Sequence, residues 1–451
     1  MNVESGPVNG LVIAAPSSGS GKTVLTLGLL RHLARSGQPV RSAKAGPDYI
    51  DPAFHAAATG SPCYNLDLWS MRPSVLEHAA SLGAKNGTVI CEGVMGLFDG
   101  TVMEAGSTAD LAEQIGWPVV LIIDAAAQGA SAGAVLRGFA SHRPGFALAG
   151  VVFNRVGGER HRDVLREAAA LAAPDVKILG FVPRAADLSL PDRHLGLVQA
   201  IEHNNLTRFL DAAADLVSAN IDIEGLLDLA KPMRQRGDKT NLPIPPLGQR
   251  IAIAEDEAFT FRYPLTLEGW KAQGAELSFF SPLNDEAPAP EADAVYLPGG
   301  YPELHGYRLG SATRFMDGVK KAAGKGVTVF GECGGYMVLG KGLTDKDGAR
   351  HVMAGLLPLE TSFAKRRLHL GYREVELDAG AALGSGKVLG NPGQRYRGHE
   401  FHYATVTNES PGAPLFKASN AAGDDLGLVG LADGRVMGSF IHMIDRMEYD
   451  D

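Results

Sequence analysis

The sequence predicts two successive α/β domains, and three observations carry that prediction. Short β-branched runs alternate with longer helical patterns over the first half. A segment rich in proline, charge and polar residues, 231–249 (KPMRQRGDKTNLPIPPLGQ), then breaks the pattern with no apolar periodicity of its own. A second series of short apolar runs and helical stretches follows it. With 451 residues, the chain has room for two or three cores at roughly 100–200 residues per domain. The expected division is a domain over 1–230, a linker over 231–249 and a domain over 250–451.

The first strand, 11–15 (LVIAA), is apolar on both faces. After a glycine-rich loop, Val24, Leu27, Leu30 and Ala34 recur at helical spacing, and Ser36-Gly37 stops the helix. Further strands are expected at 40–45, 88–91, 119–124, 149–154 and 176–181. Runs apolar on both faces and separated by helices imply a parallel sheet covered on both sides. In the second half, strands are expected at 250–254, 277–280, 294–297 and 327–330, with helices near 265–273 and 315–323. From about 350 to 407 the pattern alternates like a meander. No internal repeat links the halves, so they read as two different α/β domains.

Composition narrows the class. The chain is 45% hydrophobic and 21% charged, and 42 Lys and Arg against 51 Asp and Glu leave a net charge of −9. A nucleic-acid binder needs a basic surplus to neutralise phosphates, so that partner is not expected. Three cysteines (Cys63, Cys91 and Cys333) are too few and too scattered for a disulfide framework or a four-cysteine zinc site. The first residues show no basic stretch followed by an apolar run, so no signal peptide is expected. The most apolar stretch, 119–127, is interrupted by Asp124 and too short to span a bilayer. A cytoplasmic protein with no membrane partner is the expectation, and assembly as a homodimer is left open.

The first strand runs into Pro16-Ser17-Ser18-Gly19-Ser20-Gly21-Lys22-Thr23, with a helix behind it. Such a loop turns the N–H groups of Ser18, Gly19, Ser20 and Gly21 inward around phosphate oxygens, and the helix N-terminus adds unpaired donors and a favourable dipole. Lys22 then reaches the terminal phosphates, and the Thr23 hydroxyl ligates Mg²⁺. Only the first glycine of the usual pattern is missing; Pro16 replaces it. Acidic residues follow the neighbouring strands: Asp48 and Asp51 after the second, Glu92 and Asp99 after the third. At the carboxyl ends of parallel strands they face the crevice where α/β sheets bind ligands. Pro-Asp and Asp-Gly also form turns, but several carboxylates beside a phosphate loop favour Mg²⁺ coordination and substrate activation. Asn154 ends the fifth strand, placed either to read a purine edge or to cap the strand.

In the second half, strand 327–330 leads into Gly331-Glu332-Cys333-Gly334-Gly335-Tyr336 and then a helical start. Small residues around a nucleophile permit a sharp strand-to-helix turn that exposes it, and the helix N-terminus is expected to lower the thiol pKa. Flanking glycines give Cys333 little to pack on, whereas Cys91 and Cys63 read as core residues. A second loop, Leu297-Pro-Gly-Gly300-Tyr-Pro-Glu, could aim an N–H at an oxyanion together with the Gly334 amide. His399, His402 and His442 are candidate bases that spacing does not separate. A metal at His399 and His402 lacks further ligands in the sequence.

With these motifs assembled, the chain resembles the cobyrinate/hydrogenobyrinate a,c-diamide synthases of cobalamin biosynthesis, which are glutamine-dependent, ATP-consuming amidoligases. The resemblance covers essentially the whole chain. It is carried by APSSGSGKT (15–23), KAGPDYIDP (44–52), EGVMGLFDG (92–100), FVPRAADLSLPDRHLGL (181–197), LPGGYPE (297–303), GECGGYM (331–337), RGHEFHY (397–403) and GSFIH (438–442). It implies a dethiobiotin synthetase-like P-loop domain followed by a class I glutamine amidotransferase-like domain. Cys333 would attack glutamine with His442 as its base. The ammonia released would displace phosphate from an acyl phosphate made by ATP on the a and c acetates of a corrinoid polycarboxylate. Thr23, Asp48 and Glu92 would hold Mg²⁺, with Tyr49, Asp51 and Asp99 near the substrate carboxylate. Arg193 and His194, in the PDRHLGL loop, are the substrate-facing choices. Most class I amidotransferases carry a glutamate two residues after the histidine; here Ile444 stands there, which implies a Cys-His dyad, with Glu400 the remaining option for an orienting third member.

The motif wording favours hydrogenobyrinate over cobyrinate. The alternatives are an amidase of another macrocycle, such as a nickel-sirohydrochlorin, and a P-loop switch ATPase. Switch ATPases usually carry an extra lysine early in the phosphate loop, which 15–18 (APSS) lacks, and they have no use for a nucleophilic cysteine domain.

Overall fold

The protein is represented by a computed structural model that describes residues 8–82, 87–101, 106–185, 188, 199–203, 205–234, 243–409 and 412–448. The chain divides into two compact units, Met1–Trp69 with Pro73–Thr240 and Ser70–Arg72 with Asn241–Asp451. No helix among the described residues is long and apolar enough to cross a membrane.

The first unit is built on strands β1 (Asn9–Ala14), β2 (Val40–Ala45), β3 (Tyr64–Leu66), β4 (Thr88–Glu92), β5 (Val119–Asp124), β6 (Leu148–Val156), β7 (Lys177–Pro183) and β8 (Lys231–Pro232). Their order is β3-β2-β4-β1-β5-β6-β7. Every pairing along this path is parallel, as two-faced apolar runs such as VVLIID require. Helix α1 (Lys22–Arg35) buries Leu25, Leu27, Leu29, Leu30 and Leu33, each contributing about 2 kcal/mol. Gly28 lets it approach the helix Leu206–Asn220, because a Cβ there would strike the Ala213 carbonyl. All six expected strands are present. β3 was not anticipated; at three residues it is too short to show a period.

The segment read as a linker is structured at both ends. Lys231 and Pro232 pair antiparallel with Gly10 and Asn9, and Met233 is buried. Ile244 and Leu247 are buried in the core of the second unit. These apolar residues stand singly among prolines and charges, so they generate no periodicity. The intervening 235–242 lie outside the described residues.

In the second unit β9 (Arg250–Ala254), β10 (Glu276–Phe280), β11 (Ala294–Leu297) and β12 (Thr328–Glu332) form the parallel half of a larger sheet. A small sheet holds β13 (Gly342–Thr344), β14 (Arg350–Val352), β15 (Leu359–Ser362) and β18 (Thr405–Glu409). The larger sheet continues through β16 (His369–Leu377), β17 (Arg395–His402), β19 (Ala413–Asn420), β20 (Asp425–Asp433), β21 (Val436–Ser439) and β22 (Ile441–Arg446). Its full order is β10-β9-β11-β12-β21-β20-β19-β16-β17-β22. The strands beyond 407 were not anticipated. Gly427, Gly430 and Gly434 there adopt φ of 78°, 68° and 57°, conformations that favour glycine and interrupt a simple alternation.

Candidate active sites

In the first unit, β1 delivers the chain into the glycine loop. Gly19 and Gly21 adopt φ of 80° and 84°, which turns the loop back onto α1; Gly21 is the residue capping that helix. The loop is braced rather than free. The Ser20 hydroxyl donates to the Ser17 carbonyl at 2.9 Å, and the Asn154 amide donates to the Ser20 carbonyl at 2.9 Å. Ser17, Ser18 and Gly19 remain exposed. Asn154 therefore holds the loop from the end of β6.

Glu92 is the hub of this site. It is wholly buried, and the β2–β4 register sets Lys44 directly beside it. Its Oε1 accepts from Thr23 Oγ1 at 2.6 Å, Lys44 Nζ at 3.0 Å and Lys22 Nζ at 3.2 Å. Its Oε2 lies 2.7 Å from His55 Nε2. Lys22 also donates to the Gly93 carbonyl, and Lys44 pairs with Asp51 at 2.6 Å. Burial opposes the charge on Glu92, but Lys44, Lys22 and His55 hold its carboxyl well below the usual range. Lys44 is likewise opposed by burial and held charged by Asp51 and Glu92. Burial outweighs these partners at Lys22, with the Lys44 charge adding to it, and lowers that ammonium.

Asp48 accepts the N–H groups of Ile50 (2.7 Å) and Asp51 (3.1 Å) at the start of helix α2 (Asp51–Thr59). Burial, reinforced by the Asp51 charge, raises its pKa to about 6. Asp99 is exposed and accepts the Gly96 N–H at 2.8 Å, a turn contact. Tyr49 is buried beside Asp48 in sequence. Arg193 and His194 lie outside the described residues. Sequence reasoning missed Lys44 and His55. The signal for Lys44 was a lysine at the end of a buried strand, whose charge demands partners. Cys63 and Cys91 are buried, as read, although Cys63 Sγ also stands 3.6 Å from His55 Nδ1.

In the second unit, β12 ends in the turn that carries Cys333 at φ 47°, ψ −104°, ahead of the short helix Gly334–Leu339. That backbone is unfavourable for a side-chain-bearing residue. Surrounding glycines make it attainable: a Cβ on Gly335 would strike the Leu297 carbonyl, and one on Gly300 the Ala258 carbonyl. The Cys333 N–H is anchored on the Ser439 carbonyl at 2.8 Å. At Gly299 a Cβ would collide with His442 Cε1 and lie 3.3 Å from Cys333 Cβ, so nucleophile, histidine and glycine loop converge there. A Cβ on Gly334 would sit 3.0 Å from the Gly300 nitrogen, which brings the two proposed oxyanion glycines side by side.

One expectation is corrected. The helix N-terminus was expected to lower the Cys333 thiol. Instead burial pushes it up, with the Glu303 charge adding to the effect; the Gly334 N–H works the other way without prevailing. A helix of six residues offers little dipole against complete desolvation. His442 is also wholly buried, and burial, with His399 and His402 nearby, lowers it to about 3. Burial thus favours the neutral forms of both the thiol and the imidazole.

His442 reaches this place because one segment serves two strands: β21 pairs with β12, and after Phe440 β22 pairs with β17. Glu332, next to Cys333, accepts the Met443 N–H at 3.1 Å and the Tyr296 hydroxyl at 2.6 Å. It thereby ties the residue before the nucleophile to the residue after the histidine. Burial raises its pKa to about 7.

Glu400 directs its carboxylate to Arg373 Nε at 2.7 Å and His402 Nε2 at 2.9 Å, so its orienting contact is with His402. The other His402 nitrogen faces the Ala404 carbonyl at 3.1 Å. Burial opposes the Glu400 charge, but His402 and Arg373 hold the carboxyl at about 2. His399 stands opposite His442 in the β17–β22 register. The metal ligands missing for His402 in the sequence are present in space: His369, Glu400 and His402 offer donor atoms within 4.8 Å of one another. Arg373 already occupies that carboxylate.

Both halves of the chain match known families. Residues 11–198 match the family described as CobQ/CobB/MinD/ParA nucleotide binding domain, and residues 250–448 the CobB/CobQ-like glutamine amidotransferase domain. The hydrogenobyrinate a,c-diamide synthase of Rhizobium meliloti is 52% identical over 442 residues, covering 98% of this chain and 100% of that one. Those of Brucella anthropi (50% over 442 residues; 97% and 99%) and Rhodobacter capsulatus (50% over 446 residues; 98% and 100%) are similarly close.

Proposed function

We infer the reaction from the family to which this chain belongs, the hydrogenobyrinate a,c-diamide synthases: it is an ATP- and glutamine-dependent ligase that converts the a and c acetates of hydrogenobyrinate to amides. The observation that carries this reading is similarity across both halves of the chain at once, supported by a glycine loop ahead of Lys22 in one half and the convergence of Cys333, His442 and Gly299 in the other. We assign 1–230 to the ligase, 231–249 to the connection and 250–451 to the glutaminase.

In the glutaminase, Cys333 attacks the amide carbon of glutamine while His442 takes the thiol proton and passes it to the departing ammonia. The Gly300 and Gly334 N–H groups face the oxyanion. Water then hydrolyses the thioester and releases glutamate. In the ligase, a carboxylate is a poor electrophile with a poor leaving group. Transfer of the ATP γ-phosphoryl group to its oxygen gives an acyl phosphate, and ammonia expels phosphate to leave the amide. The glycine loop 18–21 cradles the nucleotide and Lys22 turns from Glu92 to its phosphates. Lys44 offers fixed positive charge where the transferred phosphoryl group passes.

The donor set fits Mg²⁺: Thr23 Oγ1 and a Glu92 oxygen are hard ligands 2.6 Å apart at the start of α1. With Asp48 they would hold the ion, which supplies charge neutralisation of the phosphates when bound. Asp51, Asp99 and Tyr49 are assigned to the carboxylate being activated, and Arg193 and His194 to the other carboxylates of the macrocycle. The cytoplasm, which supplies ATP and glutamine, is the place assigned to the reaction.

Incubation of the protein with MgATP, glutamine and either hydrogenobyrinic or cobyrinic acid, read by mass spectrometry, tests the reading. Conversion of two carboxylates to amides, faster on the metal-free ring, is the expected result. Intact glutaminase and ATPase with neither acid changed would send the chemistry to another carboxylated substrate.

A further inference from the structure

Glutamine must be held by more than its amide, because asparagine and simple amides share that group. Its α-ammonium and α-carboxylate lie roughly 4–5 Å along an extended chain from the amide carbon. Groups that recognise them must therefore stand close to Cys333, carry opposite charges and remain partly open to a ligand.

One pair in the second unit meets all three conditions. Cys333 Sγ contacts the carbonyl of Phe401 at 3.8 Å, and Glu400 is the residue before it on β17. The Glu400 charge acts on both Cys333 and His442. Arg373, on the neighbouring β16, donates Nε to Glu400 at 2.7 Å and Nη1 to the Tyr372 carbonyl at 2.9 Å. The side chains of Arg373 and Glu400 are 14% and 16% exposed: shielded enough for charges to matter, yet accessible. His402 braces Glu400 from the other side and is itself stacked on Phe440, with ring centroids 3.9 Å apart. A mostly buried ion pair costs desolvation that its own attraction barely repays, so its placement one residue from the nucleophile's contact calls for a purpose.

We propose that Arg373 and Glu400 form the subsite for the amino-acid end of glutamine, Arg373 taking the α-carboxylate and Glu400 the α-ammonium, with His402 as the positioning residue for Glu400. The zwitterion extends the existing pair into an alternating array of charges, so neither protein group is left uncompensated when the ligand binds. The proposal rests on the reading that Cys333 hydrolyses glutamine.

The test compares three substrates by ammonia release: glutamine, glutaramate, which lacks the α-ammonium, and 4-aminobutanamide, which lacks the α-carboxylate. The wild-type protein is expected to lose about 10–100-fold in kcat/KM on either analogue, the loss typical of one charge-assisted contact. Glu400→Gln is expected to raise KM for glutamine and to erase most of the penalty on glutaramate while keeping that on 4-aminobutanamide. Arg373→Ala is expected to do the reverse, with Arg373→Lys recovering part of the preference. Urea unfolding of each variant beside the wild type, followed by the fluorescence of Trp270 in the second unit, reports whether that unit is folded. Folded variants that keep both penalties at wild-type size overturn the proposal. A wild-type protein that releases no ammonia from glutamine overturns the glutaminase reading instead.

Discussion

Around Glu92, the interior is crowded with charge that cancels locally: Lys22, Lys44, Asp51 and His55 all sit against it or one another. Around Cys333, burial instead favours the neutral forms of both reacting groups. The difference follows from what each site must bind. On the proposed reading a nucleotide arrives with several negative charges, and Lys22 and Lys44, paired with Glu92, are the cations near at hand. Glutamine presents a neutral amide. On the proposed reading a neutral thiol and imidazole meet it without desolvating a permanent charge.

Substitutions that remove one site and spare the other probe this contrast most directly. Replacing Cys333 with Ala should reduce glutamine-supported amidation by about 10⁴-fold or more, while ammonium-supported amidation continues; equal losses with both nitrogen sources would contradict the division of labour. Lys44→Met should be the corresponding lesion in the first unit. It strands Glu92 and Asp51 as poorly compensated buried carboxylates, at a cost of about 3–5 kcal/mol, and should stop amidation from either nitrogen source. A Lys44→Met protein with normal ATP-dependent turnover would remove this residue from the reaction.

Acid should separate the sites more gently. His442 titrates at about 3 in the folded protein and at about 6.5 unfolded. The unfolded chain therefore binds the proton first as pH falls. The stability this neutral imidazole contributes is complete above about pH 6.5 and declines toward pH 3, by at most about 1.4 kcal/mol per pH unit. Urea unfolding of the wild type and of His442→Gln across that range checks the sign: the wild type should lose more. The smallest effect is expected at Asn154. Its amide contributes about 1 kcal/mol to holding Ser20, so Asn154→Ala should raise the KM for ATP about fivefold with glutaminase turnover unchanged.

Candidate residues whose chemistry is suggested by their immediate neighbours were legible in the sequence. Lys22 and Thr23 follow from a glycine loop between a strand and a helix, and Cys333 from glycines that leave it nothing to pack on. Lys44 was not legible, because its importance arises from a β2–β4 register that joins it to Glu92 across 48 residues. Arg373, Glu400 and His402 meet only through the pairing of β16 with β17. The thiol was misjudged for a related reason: a local motif announces a helix N-terminus but says nothing of how completely the fold will enclose it.

That enclosure has a practical side. All three cysteines are free, with Cys63, Cys91 and Cys333 exposed by 1%, 0% and 2%. Surface-directed thiol reagents thus find little exposed thiol apart from whatever route admits glutamine to Cys333. A single cysteine engineered on an exposed loop would carry a fluorophore or spin label with little competition, so distances during turnover could be followed in the otherwise native sequence.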